Sequence, residues 1–410
     1  MKKRRVKLYK TLSTENFPEG VPSVSKRAVK WIGSVFVLLM MSFMSPAFAN
    51  NEQPHEIQPG QLSHLELRVT IGGGGELSPA FSPDVTHYTA WVQSDIDNVQ
   101  VIATAREGAE VTISGAPVNR GFGNVAGYRL EVGMNELIIT VHDDGVVGTY
   151  TISIEREDIM PVVNKFQHFT YQDPTTGVDM AYSLFVPEDY DPNRSYPLVF
   201  FLHGNGERGY NDQAHLIANQ GATIWAKPEE QAVRPAFVLA PQAPRENLSP
   251  QGENLDGVWT NPIFGDPYTP TKYLITAYNI LQKVMEEYNI DEKRIYATGI
   301  SMGGFGTWAI NIHYPDLFAA MVPVVSFGDP VGAAEKLVDK PIWHFAAEAD
   351  FVIDINAVRA VNQALIDAGG SPRYTEYPAS AYIYPMAHFA WVPAYANVEM
   401  REWLFEQVKP

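Results

Sequence analysis

The sequence predicts two folded domains, a small all-β sandwich followed by an α/β domain whose mostly parallel sheet carries helices on both faces. Residues 61–157 contain short alternating apolar and polar segments separated by turn residues, which is typical of a β-sandwich. Residues 158–410 alternate strand-like apolar runs with helical stretches, which favours a parallel sheet. The length of 410 residues independently favours more than one domain.

The first 49 residues have the organisation of a signal peptide. A basic region ends at Lys30, an apolar run covers residues 31–44, and Ala47-Phe48-Ala49 forms a small-residue cleavage site. This run is shorter than the roughly 20 residues that a spanning helix needs, and an uncleaved anchor is the alternative. We expect a secreted or periplasmic protein cut after Ala49, with a polar linker at 50–60 and no membrane association after cleavage.

The composition excludes several classes of function. The formal net charge is −17, so binding to nucleic acid through phosphate contacts is not expected. The chain has no cysteine, which removes disulfides, zinc–thiolate sites and a thiol nucleophile. No metal site and no organic cofactor are predicted.

The first domain is predicted to contain six strands, at residues 63–70, 87–92, 98–104, 110–114, 136–142 and 149–155. The four glycines at 72–75 are expected to form a flexible turn. A phosphate-binding loop would need a helix directly after them, and Leu77-Ser78-Pro79 does not allow one.

Three blocks of this domain form a pattern: Leu62-Ser63-x-Leu65, Leu77-Ser78-Pro79-Ala80-Phe81-Ser82-Pro83-Asp84, and Gly133-x-Asn135-x-Leu137-x-Ile139-x-Val141. With these blocks the domain resembles the cadherin-like, immunoglobulin-type β-sandwich domains of bacterial secreted proteins. The resemblance says little about function, and a spacer or stabilising module is the preferred interpretation. Carbohydrate or surface binding, and self-association through the sandwich, stay open.

The second domain is predicted to open with an antiparallel strand pair and to continue with alternating strands and helices. The strands are expected at residues 166–172, 180–187, 198–202, 236–240, 294–300, 318–324 and 342–347, and the helices at 271–288, 302–313, 356–368 and 397–408. In such a sheet, functional residues are expected at the carboxyl ends of the strands.

The segment Gly299-Ile300-Ser301-Met302-Gly303 lies between a predicted strand and a predicted helix, as a nucleophile elbow does. Ser301 is therefore the candidate nucleophile. The backbone N–H of Met302, at the start of the helix, is the first candidate donor of an oxyanion hole.

A serine nucleophile needs a base and an acid that orients the base. In a fold with a nucleophile elbow both follow the serine along the chain, the acid first and then the histidine. Among the later histidines, His313 lies on the helix of the nucleophile and His344 lies inside a strand, whereas His388 lies in a late loop. His388 is therefore the candidate base. Asp350 directly follows a strand and is the candidate acid, with Glu348 and Asp354 as its competitors.

The second oxyanion donor is expected in the glycine-rich loop that follows the strand at 198–202. We assign it to the N–H of Asn205, and Gly204 and Gly206 are expected to border the substrate pocket. Trp259 and Trp391 are candidates for the pocket wall, although tryptophans at such positions also serve as core residues.

Further motifs are His203-Gly204-x-Gly206-Glu207-Arg208-Gly209, Gly299-x-Ser301-Met302-Gly303-Gly304-x-Gly306-Thr307-Trp308 and His388-x-x-Trp391. With them the second domain resembles a family of secreted α/β-hydrolase esterases, which are often labelled predicted peptidases and are related to polyhydroxybutyrate depolymerase-like and feruloyl-type esterases. Some members carry an N-terminal immunoglobulin-like domain. The loop before His388 departs from the family pattern, because it is longer and contains Tyr382 and Tyr384.

The combined expectation is a secreted serine carboxylester hydrolase that acts through an acyl-enzyme on a small-molecule or polymer-linked ester. A serine peptidase with the same triad, a polymer-directed esterase, and a binding protein with an inactive hydrolase domain are the alternatives.

Overall fold

The computed structural model describes residues 56–117, 125–210, 213–245, 258–260 and 268–410. The predicted signal peptide and residues 50–55 of the predicted linker lie outside the described residues. Ile57–Pro410 forms one compact unit. Within the described ranges, no helix combines the length and the apolar character that crossing a membrane requires.

The first domain is a sandwich of two sheets. The three-stranded sheet has the order β1-β3-β6 and the five-stranded sheet has the order β2-β8-β7-β4-β5. The strands are β1 (Leu62–Arg68), β2 (His87–Val92), β3 (Asn98–Ala105), β4 (Glu110–Ile113), β5 (Ala116–Pro117), β6 (Val125–Arg129), β7 (Gly133–Asp143) and β8 (Val146–Arg156). In β7 and β8 alternate residues face the core, and Tyr150, Ile152 and Ile154 are buried.

The glycine run at 72–75 begins in a turn, as expected, and it is packed and hydrogen-bonded. Gly75 N–H donates to Trp91 O, and Gln93 N–H donates to Gly73 O. Gly72 has a φ of +80°, and a Cβ there would lie 3.0 Å from Pro393 Cα in the second domain. Glycine is needed here both for the left-handed backbone and for this close approach.

The second domain contains one eight-stranded sheet with the order β16-β15-β14-β13-β11-β12-β10-β9. Its strands are β9 (Gln167–Gln172), β10 (Asp179–Phe185), β11 (Tyr196–Leu202), β12 (Phe237–Gln242), β13 (Ile290–Ile300), β14 (Ala320–Val324), β15 (Trp343–Ala347) and β16 (Arg373–Tyr377). Only β10 pairs antiparallel with its neighbours, and the other pairings in the sheet are parallel. The predicted fold class, an α/β-hydrolase fold after a small β-sandwich, is confirmed.

Most of the helices lie between consecutive strands of this sheet, whereas the first precedes β9 and the last two follow β16. They are α1 (Met160–Val163), α2 (Ala214–Ile217), α3 (Pro228–Val233), α4 (Lys272–Glu287), α5 (Met302–His313), α6 (Pro330–Lys336), α7 (Ile355–Asp367), α8 (Trp391–Ala396) and α9 (Val398–Glu406). Every residue of β11 and β14 is buried, because layers of the protein cover both faces of these central strands.

The strand ends place the candidate site. β11, β13 and β15 run in the same direction, so the segments after Leu202, Ile300 and Ala347 emerge at one edge of the sheet. The predicted oxyanion loop, Ser301 and Asp350 each follow one of these three strands.

Candidate active site

Ser301 occupies a sharp turn between β13 and α5. Its backbone has φ 50° and ψ −117°, which is unusual for a residue other than glycine. Ser301 N–H donates to Val324 O at 3.0 Å, which fixes the turn against the neighbouring strand. A Cβ on Gly299 would collide with Gly303 O, and a Cβ on Gly303 would collide with Leu202 O. The two glycines therefore allow the strand and the helix to approach closely enough to form the elbow.

The structure brings the three predicted triad side chains together. Ser301 Oγ lies 3.0 Å from His388 Nε2, and His388 Nδ1 lies 2.7 Å from Asp350 Oδ2. The imidazole is thus placed to accept the hydroxyl proton at Nε2 while Nδ1–H donates to the carboxylate. This hydrogen-bonded order is what a serine nucleophile with an oriented base requires.

Asp350 is held by backbone donors on its other oxygen. Val352 N–H and Ile353 N–H donate to Asp350 Oδ1 at 2.8 and 3.1 Å. These bonds fix the carboxylate so that Oδ2 faces His388. The competitors have other partners: Glu348 accepts from Ala379 N–H, and Asp354 caps α7 by accepting from the N–H of Asn356.

The other two late histidines lie away from Ser301. His344 is fully buried in β15, where Nε2–H donates to Ser326 O and Nδ1 accepts from Asn362. Burial lowers the pKa of His344 to about 4, so the ring is neutral near pH 7. His313 is the exposed last residue of α5, at the far end of the helix that begins after Ser301.

The candidate oxyanion loop follows β11 and forms a single 3₁₀ turn, Asn205–Glu207. His203 anchors its start, because Ala243 N–H donates to His203 Nε2 at 2.9 Å. Arg208 Nε donates to Asn205 O at 3.1 Å and closes the turn. Asn205 and Met302 each begin a helical segment, so their N–H groups belong to the donors that a helix start leaves without an internal acceptor.

The predicted pocket residues fall in different places. A Cβ added to Gly206 would have no atom within 4 Å, so Gly206 borders open space. Gly204 is buried, and a Cβ added there would lie 3.5 Å from the side chain of Ile300, the residue before the candidate nucleophile. Trp391 stands edge-to-face on His388, with 5.5 Å between the ring centroids. Trp259 is fully buried instead of facing the pocket, and its indole N–H donates to His203 O at 3.0 Å. This hydrogen bond attaches Trp259 to the residue that precedes the candidate oxyanion loop.

Glu207 is a titratable residue of the candidate site, and the sequence analysis expected of it only that it pairs with Arg208 and holds the loop. Its side chain is largely buried, and its Oε2 has no hydrogen-bond partner in the described part of the chain. Burial raises the pKa of Glu207 to about 7, although donation from its own N–H and from Gly204 N–H and the nearby His388 act in the opposite direction. The ring of His203 is no cation here, because burial lowers its pKa to about 4. Only the folded loop creates this burial, so the sequence carries no signal for it.

The raised pKa of Glu207 predicts a pH dependence of stability. The neutral carboxyl contributes to the free energy of unfolding. This contribution is fully present below pH 4.5, the ordinary pKa of glutamate, and is lost as the pH rises through about 7. We expect the free energy of unfolding of wild type to fall by an amount on the order of 3 kcal/mol between pH 4.5 and pH 8 because of Glu207. In Glu207→Gln this part of the fall should be absent. Urea unfolding at several pH values measures this. The exposed Glu229→Gln is the control, and parallel pH profiles for wild type and Glu207→Gln would contradict the expectation.

Comparisons with known proteins agree with this architecture. A profile of the cadherin-like β-sandwich domain matches residues 62–157, and a profile of the esterase family matches residues 174–376. A crystal structure of a thermostable esterase is 31% identical in sequence and superposes with a TM-score of 0.58. The match covers 78% of this chain and 99% of that one.

Two curated relatives match parts of the chain. The bifunctional acetylxylan esterase/xylanase of Neocallimastix patriciarum is 28% identical over 182 residues, which is 44% of this chain and 23% of the relative. Feruloyl esterase C of Emericella nidulans is 26% identical over 140 residues, which is 33% of this chain and 44% of the relative. The chain thus spans less than half the length of either. Together with the thermostable esterase, these matches show that the chain belongs to a family of α/β-hydrolase-fold esterases, carboxylester hydrolases, here with an N-terminal cadherin-like β-sandwich domain.

Proposed function

We propose that the protein is a secreted serine carboxylester hydrolase that works through a covalent acyl-enzyme. The observation that carries the proposal is the continuous hydrogen-bonded series Ser301 Oγ, His388 Nε2 and Nδ1, and Asp350 Oδ2, with distances of 3.0 and 2.7 Å. Export follows from the predicted signal peptide, which is removed after Ala49.

In the proposed reaction, Ser301 Oγ attacks the ester carbonyl carbon while His388 Nε2 takes its proton. Asp350 stabilises the imidazolium that forms and keeps the ring oriented. The N–H groups of Met302 and Asn205 donate to the oxyanion of the tetrahedral intermediate. His388 then protonates the leaving alcohol, and water activated by the same imidazole hydrolyses the acyl-enzyme.

The substrate class that we propose is a carboxylic ester attached to a polysaccharide. The curated relatives, an acetylxylan esterase/xylanase and a feruloyl esterase, support this class. The exposed position of Asn205 and Gly206 is consistent with it, because an open oxyanion loop leaves room for a bulky alcohol.

An ester panel tests the proposal. We expect turnover of p-nitrophenyl acetate and methyl ferulate, release of acetate or ferulate from esterified xylan, and no cleavage of casein. Casein cleavage at a rate comparable with ester hydrolysis would contradict the proposed esterase function and favour a peptidase. Turnover of small esters without any release from xylan would support the esterase function and contradict the proposed polysaccharide substrate.

A further inference from the structure

A contact joins the sandwich to the loop that precedes His388. Thr70 follows β1 and is 2% exposed. Its hydroxyl donates to Tyr384 O at 3.2 Å and accepts from Tyr384 N–H at 3.0 Å. The next residue, Ile71, donates its N–H to Tyr382 O at 3.0 Å. One hydroxyl thus satisfies both backbone groups of a residue four positions before His388.

These bonds attach the backbone of the loop to the sandwich. In the described structure, the hydrogen bonds that tie the backbone of residues 382–385 to the rest of the chain come from Thr70 and Ile71. Pro385 cannot donate, and Tyr384 is itself partly exposed at the surface. Among the described residues of the second domain, none donates a comparable hydrogen bond to the backbone of this segment or accepts one from it, so the sandwich contributes directly to its position.

The segment after His388 is held against the same part of the sandwich. Gly72 lies against Pro393 and Ala396 of α8, so closely that a Cβ would be 3.0 Å from atoms of each. On the other side, the Arg68 guanidinium lies over the ring of Tyr382, 5.7 Å from its centroid. Residues 68–72 therefore contact the chain both before and after His388.

We propose that Thr70 is a positioning residue for His388 and that the sandwich forms part of the scaffold of the active site. The inference rests on the proposed function, since it takes His388 as the base. Thr70 acts through the backbone of Tyr384, which sets where the turn Ala387–Phe389 begins. A small displacement of the imidazole lowers kcat strongly, because proton transfer from Ser301 depends on the hydrogen-bond geometry.

The test compares Thr70→Val, which keeps the shape but removes the hydroxyl, with Thr70→Ser, which keeps the hydroxyl. We expect Thr70→Val to lower kcat of ester hydrolysis at least about tenfold with little change in KM. Thr70→Ser should stay within about twofold of wild type. Thr89→Val makes the same chemical change at an exposed position of β2 and should behave as wild type. Thermal unfolding of each variant checks that the fold is intact.

Hydrogen exchange provides a readout that needs no substrate. Peptides covering residues 381–390 should exchange at least about tenfold faster in Thr70→Val than in wild type, because Tyr384 N–H loses its acceptor. Unchanged exchange in these peptides would overturn the anchoring. Unchanged kcat with faster exchange, or an equal fall of kcat in Thr70→Val and Thr70→Ser, would overturn the role of the hydroxyl. If wild type hydrolysed no ester, the proposed function would fail, while the exchange experiment would still decide whether Thr70 holds the loop.

Discussion

Asp350→Asn is expected to lower kcat about 10⁴-fold while the protein stays folded. The reason lies in the two backbone donors on Asp350 Oδ1. Val352 N–H and Ile353 N–H require an acceptor, so the asparagine oxygen stays on their side. The amide nitrogen then faces His388 Nδ1, which becomes an acceptor, and the proton moves to Nε2. An imidazole with its proton on Nε2 cannot take another from Ser301.

Asp354→Asn is the matched control for this prediction. Asp354 lies four residues further on, is exposed and caps α7. Asparagine caps a helix about as well as aspartate, so kcat and stability should both stay near the wild-type values. Steady-state kinetics on a p-nitrophenyl ester decide the matter. A fall of less than about tenfold in Asp350→Asn would show that the carboxylate does not set the tautomer of His388.

Gly303→Ala is expected to destabilise the protein by more than about 4 kcal/mol, or to prevent folding. The added Cβ would overlap Leu202 O at the end of β11, and both groups belong to packed backbone that has no room to move. The same overlap would push α5 away from the sheet and displace Ser301, so the residual folded protein should also lose activity.

Gly206→Ala makes the same change in the candidate oxyanion loop, which follows the neighbouring strand β11. Nothing lies within 4 Å of the Cβ that it would add, so its free energy of unfolding should match that of wild type. Urea unfolding of both variants checks the pair. Equal stability of Gly303→Ala and wild type would contradict the reason given for glycine in the elbow.

The sequence predicted most of the site because a local pattern and a chain order carry the information. The spacing around Ser301 needs only a strand, two glycines and a helix, and α5 begins and ends at the predicted residues. His388 and Asp350 followed from the order of the triad in this fold. These three assignments place side chains that the structure brings within hydrogen-bond distance.

Long-range packing accounts for what the sequence did not predict. Trp259 was expected at the pocket wall. In the structure it is fully buried, and its indole N–H donates to the carbonyl oxygen of His203, a residue 56 positions earlier in the chain. The sequence analysis identified the loop with Tyr382 and Tyr384 as a departure from the esterase family pattern, but it gave no structural reason for this loop. Its partner, Thr70, lies 314 positions earlier in the chain, and no periodicity or motif connects the two.

The central claim is that Ser301 carries the acyl group. It is tested most directly by intact-protein and peptide mass spectrometry after reaction with a fluorophosphonate, with hydrolysis of p-nitrophenyl acetate followed in parallel. The account predicts one adduct per chain, on the peptide that contains Ser301, and neither adduct nor ester turnover in Ser301→Ala. An adduct on another residue, or ester turnover that persists in Ser301→Ala, would contradict it.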